Sequence, residues 1–252
     1  MELCGFLPGG KALLLRMRFA IAPANGLPGD HLVLVRTDGT AFPGGNAWKC
    51  LTCGLSPSVA AAFGTRLDHP QPFPDGRRVL AGMTVFDCSP WPLDDERCAA
   101  GMLRAYPIET AWAQDPDVQL QGVRLHPDGA HVGFAVAAGG HRAAPFVWVA
   151  SLGGDGRHYV LDKPQLLYRS DPAARMVRPG RTSGTLEIDR TAIEIEALSG
   201  FSADGREIYY RGFPWESGSA DLFAVTVATG KVRRITQAGG MVGPVAASPD
   251  GA

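Results

Sequence analysis

Residues 201–236 read FSADGREIYYRGFPWESGSADLFAVTVATGKVRRIT, and this stretch decides the fold. It opens with a four-residue turn at 202–205, where Asp-Gly between apolar runs is a strong hairpin signal because Gly readily takes a positive φ. A strand follows, with Ile208 and Tyr210 on one face and polar residues on the other. Residues 221–227 (DLFAVTV) and 231–236 predict two further strands, joined by a Thr-Gly turn.

The same turn and strand recur along the chain. Copies start near residues 7, 73, 126, 202 and 248, and they read LPGG, FPDG, HPDG, SADG and SPDG. The first copy has Gly9 where the others have Asp. Their third positions, 9, 75, 128, 204 and 250, are separated by 66, 53, 76 and 46 residues. The shortest step is enough for four strands, so the spacing predicts a repeat architecture with one four-stranded unit per copy.

This cassette, a Pro-Asp-Gly turn and strand followed by DLFAVTVATGKVRRIT, resembles the WD40-like repeat of TolB-type β-propellers. It is also similar to the propeller halves of prolyl oligopeptidase-like peptidases. The resemblance implies an all-β chain of four-stranded blades, about four of them, forming one propeller domain over 1–252 or a fragment of a larger six- to eight-bladed one. The longest step is interpreted as an insertion over about 157–190, with turn punctuation typical of surface loops.

The two chain ends bear on how the propeller closes. Either residues 242–247 pair with the N-terminal strand, Lys11 to Ile21, or the blades form an open arc. An open arc leaves unpaired strand edges that recruit other chains, so we expect the isolated 252-residue chain to self-associate. Sedimentation of a monodisperse, cooperatively melting monomer would contradict this expectation.

Composition excludes some functional classes. The chain has 32 Gly and 20 Pro, which suits many short strands, and its 45% hydrophobic content is ample for a packed core. A net charge of −1 indicates no basic surface for nucleic acid. Lys11, Arg16 and Arg18 interrupt the apolar N-terminus, so neither an export signal nor a membrane span is predicted. TolB-like relatives are commonly periplasmic, and no single compartment follows from the sequence.

Four of the five cysteines raise the question of a metal or redox site. Cys50 and Cys53 form a Cys-x-x-Cys pair that could hold half of a zinc site or form a redox couple, and Cys88 and Cys98 could supply the other half. The second pair has a wider spacing than zinc sites usually show, and no thioredoxin-like βαβ pattern surrounds the first. A structural role is therefore favoured, with zinc and redox chemistry as alternatives.

Histidines supply the remaining candidates. Asp68 and His69 precede the second turn and could line a channel and bind a ligand or ion, although local hydrogen bonding of turn residues is the simpler interpretation. His126, His131 and His141 are close in sequence, and the first two flank one turn, so a shared metal is geometrically feasible. Because these histidines have no carboxylate at a fixed spacing, a shared metal is disfavoured, and no metal ligand, catalytic residue or cofactor is assigned.

Three functions fit these observations. The favoured one is a non-enzymatic, TolB-like scaffold that binds a protein or small-molecule ligand at the channel mouth. The second is the substrate-gating propeller of a prolyl oligopeptidase-like hydrolase whose catalytic domain lies elsewhere, since no G-x-S-x-G elbow is present and the nearest string, residues 200–204, ends in Asp. The third is a metal-dependent lyase resembling oligogalacturonate lyases, onto which no residues could be matched.

Overall fold

A computed structural model describes residues 1–19, 29–53, 55, 67–110, 118–138, 146–169, 178–179, 186–187, 193–214 and 220–237. In these ranges the chain is all-β apart from one 3₁₀ turn at Ala100–Met102. Within the same ranges, no helix has the length and apolar character needed to cross a bilayer. The chain divides into two compact units: unit 1 is Met1–Glu109 with Gly153–Val160, and unit 2 is Thr110–Leu152 with Leu161–Ala252.

Unit 1 contains two sets of four neighbouring strands, each in chain order. Blade 1 consists of β1 (Glu2–Phe6), β2 (Ala12–Phe19), β3 (Gly29–Arg36) and β4 (Trp48–Cys50). Blade 2 consists of β5 (Gln71–Pro72), β6 (Arg78–Ala81), β7 (Thr84–Asp87) and β8 (Arg104–Glu109). Neighbouring strands within each blade pair antiparallel. In the same unit, Tyr159 and Val160 pair in parallel with the end of β8.

Unit 2 contains blade 4 and most of blade 3, each a set of four neighbouring strands. Blade 3 is built from β9 (Val118–Leu125), β10 (His131–Ala138), β11 (Phe146–Gly154) and β12 (Tyr159–Arg169), in the order β12-β11-β10-β9. A short hairpin, β13 (Arg178–Pro179) with β14 (Leu186–Glu187), comes next along the chain. Blade 4 is built from β15 (Ile193–Phe201), β16 (Glu207–Pro214), β17 (Asp221–Thr226) and β18 (Val232–Arg234), again in chain order.

These sheets confirm the predicted fold class, because an antiparallel four-stranded meander is the blade of a β-propeller. They also change one boundary. Tyr159–Arg169, which the sequence places in the 157–190 insertion, is the fourth strand of blade 3. The last turn, at 248–251, and the segment 242–247 lie outside the described residues, so ring closure and self-association stay predictions.

The recurring turn has one geometry in each of the four described copies. The amide of its fourth residue, Gly10, Gly76, Gly129 or Gly205, donates to the carbonyl of its first residue at 2.9–3.0 Å. These glycines have φ between 67° and 72°, the left-handed region that favours Gly. In blades 2 to 4 a carboxylate oxygen of the turn's Asp accepts the amide two residues further on. The Asp is therefore a structural cap of the turn.

Each unit has its own apolar core. In blade 4 the predicted alternation is confirmed, since Ile208 and Tyr210 are fully buried and their strand neighbours are half-exposed. The core of unit 1 is drawn from blades 1 and 2, with Leu14, Leu34, Val79 and Phe86 among its members. The core of unit 2 is drawn from blades 3 and 4, with Val147, Leu198, Ile208, Tyr210 and Phe223 among its members.

Glycine lets two blades of unit 2 approach closely. A Cβ at Gly133 of β10 would lie 2.9 Å from Cδ1 of Ile208 and 3.0 Å from Cζ of Phe201, both in blade 4. Such distances are shorter than ordinary van der Waals contact, so the missing side chain is what allows the contact between blades 3 and 4.

Candidate functional site

Side chains able to bind a ligand or an ion gather at three places in the described part of the chain. His31 with Cys50 and Cys53 is the first, and the turn cluster, defined as His126, Asp128 and His131, is the second. In each of these groups the donor atoms lie within 4.8 Å of one another. The third is a set of charged side chains around Arg16 in blade 1. Each place combines residues identified from sequence with partners that sequence reasoning missed.

The charged set, called the inner-strand cluster, consists of Glu2, Arg16, Asp30, Asp68 and His69. Arg16 Nη2 lies 3.0 Å from Glu2 Oε2, and its guanidinium is 3.9 Å from the carboxylates of Asp30 and Asp68. Arg16 Nη1 also donates to the carbonyl of the residue before Asp68, at 3.0 Å. His69 Nδ1 is 3.6 Å from Glu2 Oε1. The Asp68-His69 pair is thus joined to residues more than 35 positions away in sequence.

The inner-strand cluster has more acidic than basic groups and is open to solvent. Arg18 stands opposite Asp30 across β2 and β3, so Asp30 has two basic neighbours. Asp68 is 54% exposed, and among the described residues its contact with a basic group is a long one, to Arg16. His69 is 46% exposed and has a left-handed φ of 47°. Non-glycine residues in this conformation are uncommon and often occur at binding sites. Asp68 and His69 therefore present an exposed acceptor and an exposed imidazole side by side.

Cys50 and Cys53 form a disulfide at the outer edge of blade 1. The amide of Cys53 donates to Cys50 Sγ at 3.0 Å, and both residues are partly exposed. The buried His31 lies beside them, with its Nδ1 3.1 Å from the hydroxyl of Thr52. His31 and the disulfide therefore lie together at this edge of the blade.

The second pair, Cys88 and Cys98, forms a disulfide within the core of unit 1. These cysteines are 2% and 0% exposed. Lys49 Nζ connects β4 to the loop that this disulfide closes, donating to the carbonyls of Leu93 and Asp95 at 2.9 and 2.6 Å. The structure therefore pairs the four cysteines as two disulfides instead of bringing them into one four-thiolate site. Cys4 is the free thiol, and burial raises its pKa to about 12.

The different exposure of the two disulfides predicts selective reduction. In a dithiothreitol titration, Cys50–Cys53 should open at a reductant concentration at least about tenfold lower than Cys88–Cys98, because accessible disulfides are the labile ones. Alkylation at each reductant concentration followed by peptide mass spectrometry measures both bonds in one sample. Joint opening of the two bonds, or earlier opening of Cys88–Cys98, would contradict the prediction.

The turn cluster is built by the recurring turn of blade 3. His126 Nδ1 lies 2.9 Å from Asp128 Oδ1, and His131 Nδ1 lies 2.6 Å from Asp128 Oδ2. The His126 ring packs edge-on against Phe201 at 4.8 Å, and its Nε2 lies 3.1 Å from the carbonyl oxygen of Gly205 in the blade 4 turn. The two histidines that the sequence places on either side of one turn are therefore brought together.

Asp128 is the carboxylate that sequence reasoning did not recognise as part of this group, and the statement that no carboxylate accompanies the histidines is wrong. It lies two residues after His126 and three before His131, a spacing readable from the sequence. Partial burial opposes ionisation of Asp128, but hydrogen bonds from the Ala130 amide and the His131 imidazole outweigh it and lower its pKa to about 2. His141 lies outside the described residues.

Comparisons with known proteins concern the fold alone. No protein-family model and no curated protein sequence matches the chain. Among solved structures it is similar to TolB from Acinetobacter baumannii, with 14% identity, a TM-score of 0.48, and coverage of 97% of this chain and 47% of that one. Putative TolB from Agrobacterium tumefaciens shares 15% identity with a TM-score of 0.44, and the match covers 94% of this chain and 62% of that one. Prolyl oligopeptidase B from Galerina marginata shares 11% identity with a TM-score of 0.41, and the match covers 93% of this chain and 27% of that one.

The chain therefore spans less than two thirds of each of these three proteins. Its own sheets and turns establish the fold: four-stranded blades, each with the same glycine turn between its first two strands, make the described chain a β-propeller of the kind that the repeat cassette implies.

Proposed function

We propose that the chain is a non-enzymatic binding scaffold, and that its inner-strand cluster receives a basic group of a protein or small-molecule ligand. The observation that carries this proposal is the exposed pair Asp68 and His69, in which an incompletely neutralised carboxylate adjoins a histidine in a left-handed conformation. In a propeller the strand that precedes each turn lines the axial channel, and β1 and β5 are those strands in blades 1 and 2.

Electrostatics favour a cationic ligand group. Arg16 binds Glu2 and a backbone carbonyl, both at 3.0 Å, and lies 3.9 Å from Asp68. The negative charge of Asp68 is therefore the least neutralised in the cluster. A lysine, arginine or amine of a ligand would complete this charge set with charge-assisted hydrogen bonds. Attraction between complementary charges also steers encounter, so the cluster would raise the association rate of a basic partner at low salt.

Site-specific photocrosslinking tests the proposal. With benzoylphenylalanine in place of His69, we expect one discrete adduct in extracts of the source cells, and we expect the same probe in place of Asp38, on the exposed turn after β3, to give none. In the His69 probe chain, Asp68→Lys should reduce the adduct at least about tenfold, because a like charge now faces the ligand's basic group. Equal adducts from both probe positions, or an adduct unaffected by Asp68→Lys, would overturn the proposal.

The two enzymatic alternatives differ from the scaffold in observable ways. As the gate of a serine hydrolase, the chain would need a catalytic domain beyond these residues. The nearest candidate nucleophile, Ser202, uses its hydroxyl within the turn, donating to Asp204 at 2.7 Å and accepting the Glu207 amide at 3.0 Å. A metal-dependent lyase would release unsaturated uronides from oligogalacturonate. These products can be detected by their ultraviolet absorbance.

A further inference from the structure

We propose that the turn cluster of blade 3, His126, Asp128 and His131, is a binding site for a divalent transition-metal cation such as Zn²⁺. The proposal does not depend on the scaffold function or on the inner-strand cluster. It rests on three observations: the orientation of His126, the separations of the donor atoms, and a comparison with the equivalent turns of the other blades.

The hydrogen bonds of His126 fix which of its nitrogens is available. Its Nε2 lies 3.1 Å from the carbonyl oxygen of Gly205, which can only accept, so Nε2 carries the hydrogen. Its Nδ1 accepts the backbone amide of Asp128 at 3.2 Å and therefore bears the lone pair. Metal-binding histidines are typically oriented in this way, with the second ring nitrogen donating to a carbonyl or carboxylate.

This lone pair faces another acceptor. Nδ1 of His126 lies 2.9 Å from Asp128 Oδ1, a contact that brings two electron-rich atoms together. On the other side, Nδ1 of His131 lies 2.6 Å from Asp128 Oδ2. His131 Nδ1 donates to that oxygen. When this hydrogen moves to Nε2 of His131, both Nδ1 atoms and the carboxylate can serve as ligands of one cation.

The separations suit a first-row transition metal. With metal–ligand distances of about 2.0–2.2 Å, neighbouring donors of one ion lie roughly 3.0–3.4 Å apart. The two imidazole–carboxylate separations, 2.9 and 2.6 Å, are shorter than this and lengthen when an ion enters, and all three donors lie within 4.8 Å of one another. The side chain of His131 is 43% exposed, so packing leaves its ring room to reorient.

Ligand chemistry selects the class of ion. Two imidazoles and one carboxylate favour Zn²⁺, Ni²⁺, Co²⁺ or Cu²⁺, whereas Mg²⁺ and Ca²⁺ prefer oxygen ligands. Three protein ligands leave at least one coordination position for water or another molecule. Solvent reaches the site, because Asp128 and His131 are 40% and 43% exposed.

Comparison with the other described turns shows what is specific to blade 3. The turn's Asp has the same capping role in blades 2 to 4. In blade 2 the flanking positions are Phe73 and Arg78, and in blade 4 they are Ser202 and Glu207. Formation of the turn therefore does not require histidine at either position. Among the described turns, blade 3 alone has a metal-binding side chain on both sides of the carboxylate.

Calorimetric titration of the full chain with Zn²⁺ tests the site. The protein is first treated with a chelator and kept with its disulfides oxidised, so that Cys50 and Cys53 offer no thiolate. We expect one Zn²⁺ per chain, and we expect His131→Gln to weaken binding roughly 100-fold, since loss of even an outer partner of a ligand costs 10–100-fold. Asp128→Asn should weaken it similarly while keeping an acceptor for the Ala130 amide, so the turn still forms.

The matched control is His158→Gln. His158 is exposed and pairs with Glu109 at 3.0 Å, so it offers an imidazole beside a carboxylate without a third donor. Zn²⁺ affinity should be unchanged in this variant, and the Co²⁺-loaded wild type should lack thiolate charge-transfer bands. Circular dichroism verifies that each variant is folded. The proposal is overturned if the wild type does not bind, if folded His131→Gln binds like the wild type, or if His158→Gln is equally impaired.

Discussion

Arg234→Ala is expected to lower the free energy of unfolding of unit 2 by about 3 kcal/mol, because it removes a charge-assisted hydrogen bond from a buried carboxylate. Asp221 begins β17 and is 0% exposed, and its Oδ2 accepts a hydrogen bond from Arg234 of β18. Its Oδ1 accepts the hydroxyl of Thr236 at 2.9 Å, which keeps the loss at the low end for broken buried pairs. Urea unfolding followed by circular dichroism gives the free energy.

The neighbouring arginine is the control for this prediction. Arg233 makes a two-pronged ion pair with Glu207 at 2.9 and 2.6 Å, but on the surface, where Arg233 is 54% exposed. Arg233→Ala should therefore cost only about 0.5 kcal/mol. Hydrogen exchange should show the loss in Arg234→Ala as faster exchange of the β17 amides. Equal effects of the two substitutions would show that burial of Asp221 does not control stability here.

Gly205→Ala is expected to destabilise unit 2 by about 3 kcal/mol, for two reasons that add. Gly205 has a φ of 72°, and a residue with a Cβ loses about 1–2 kcal/mol in this conformation. The new Cβ would also overlap the imidazole of His126, which must then move away from Phe201 and give up its hydrogen bond to the Gly205 carbonyl. Overpacking of this kind costs about 1–3 kcal/mol.

Gly39→Ala separates the two contributions. Gly39 has nearly the same φ, 73°, and a Cβ there would meet no atom within 4 Å, so only the backbone cost of about 1 kcal/mol is expected. Thermal and urea unfolding of both variants measure the difference. If His126→Ala is combined with Gly205→Ala, part of the loss should be recovered. A Gly205→Ala loss no larger than that of Gly39→Ala would mean that the contact between the two turns is adaptable.

The fold could be predicted from sequence because its signals are local. In each blade a Gly turn is followed directly by a strand, and this pattern can be recognised in the sequence. Backbone hydrogen bonds within six residues are enough to form that turn. The end of blade 3 could not be placed in this way. Strand β12 (Tyr159–Arg169) follows a Gly-rich stretch and continues into Pro- and Gly-punctuated sequence, so its pairing with β11 depends on tertiary context.

The candidate sites also differ in whether their contacts are local in sequence or depend on tertiary structure. The turn cluster is local, and its carboxylate could have been found by placing Asp128 between its flanking histidines. The inner-strand cluster joins Asp68 and His69 to Glu2 and Arg16 through strand pairing and blade packing, which a single sequence does not reveal. The same is true of His31 beside Cys50 and Cys53, because that contact arises from the pairing of β3 with β4.

The recurring turn separates architecture from chemistry. Backbone hydrogen bonds and the Asp side chain stabilise the turn, whereas the residues at its first and sixth positions differ from blade to blade. In the copies that keep the Asp, two substitutions at the flanking positions can therefore change the set of side chains around its carboxylate without altering the backbone of the turn. Ser202→His with Glu207→His around Asp204 would place the same donor set in blade 4. A repeat protein whose turn backbone and flanking side chains are set by different positions can diversify its ligands while its fold stays constant.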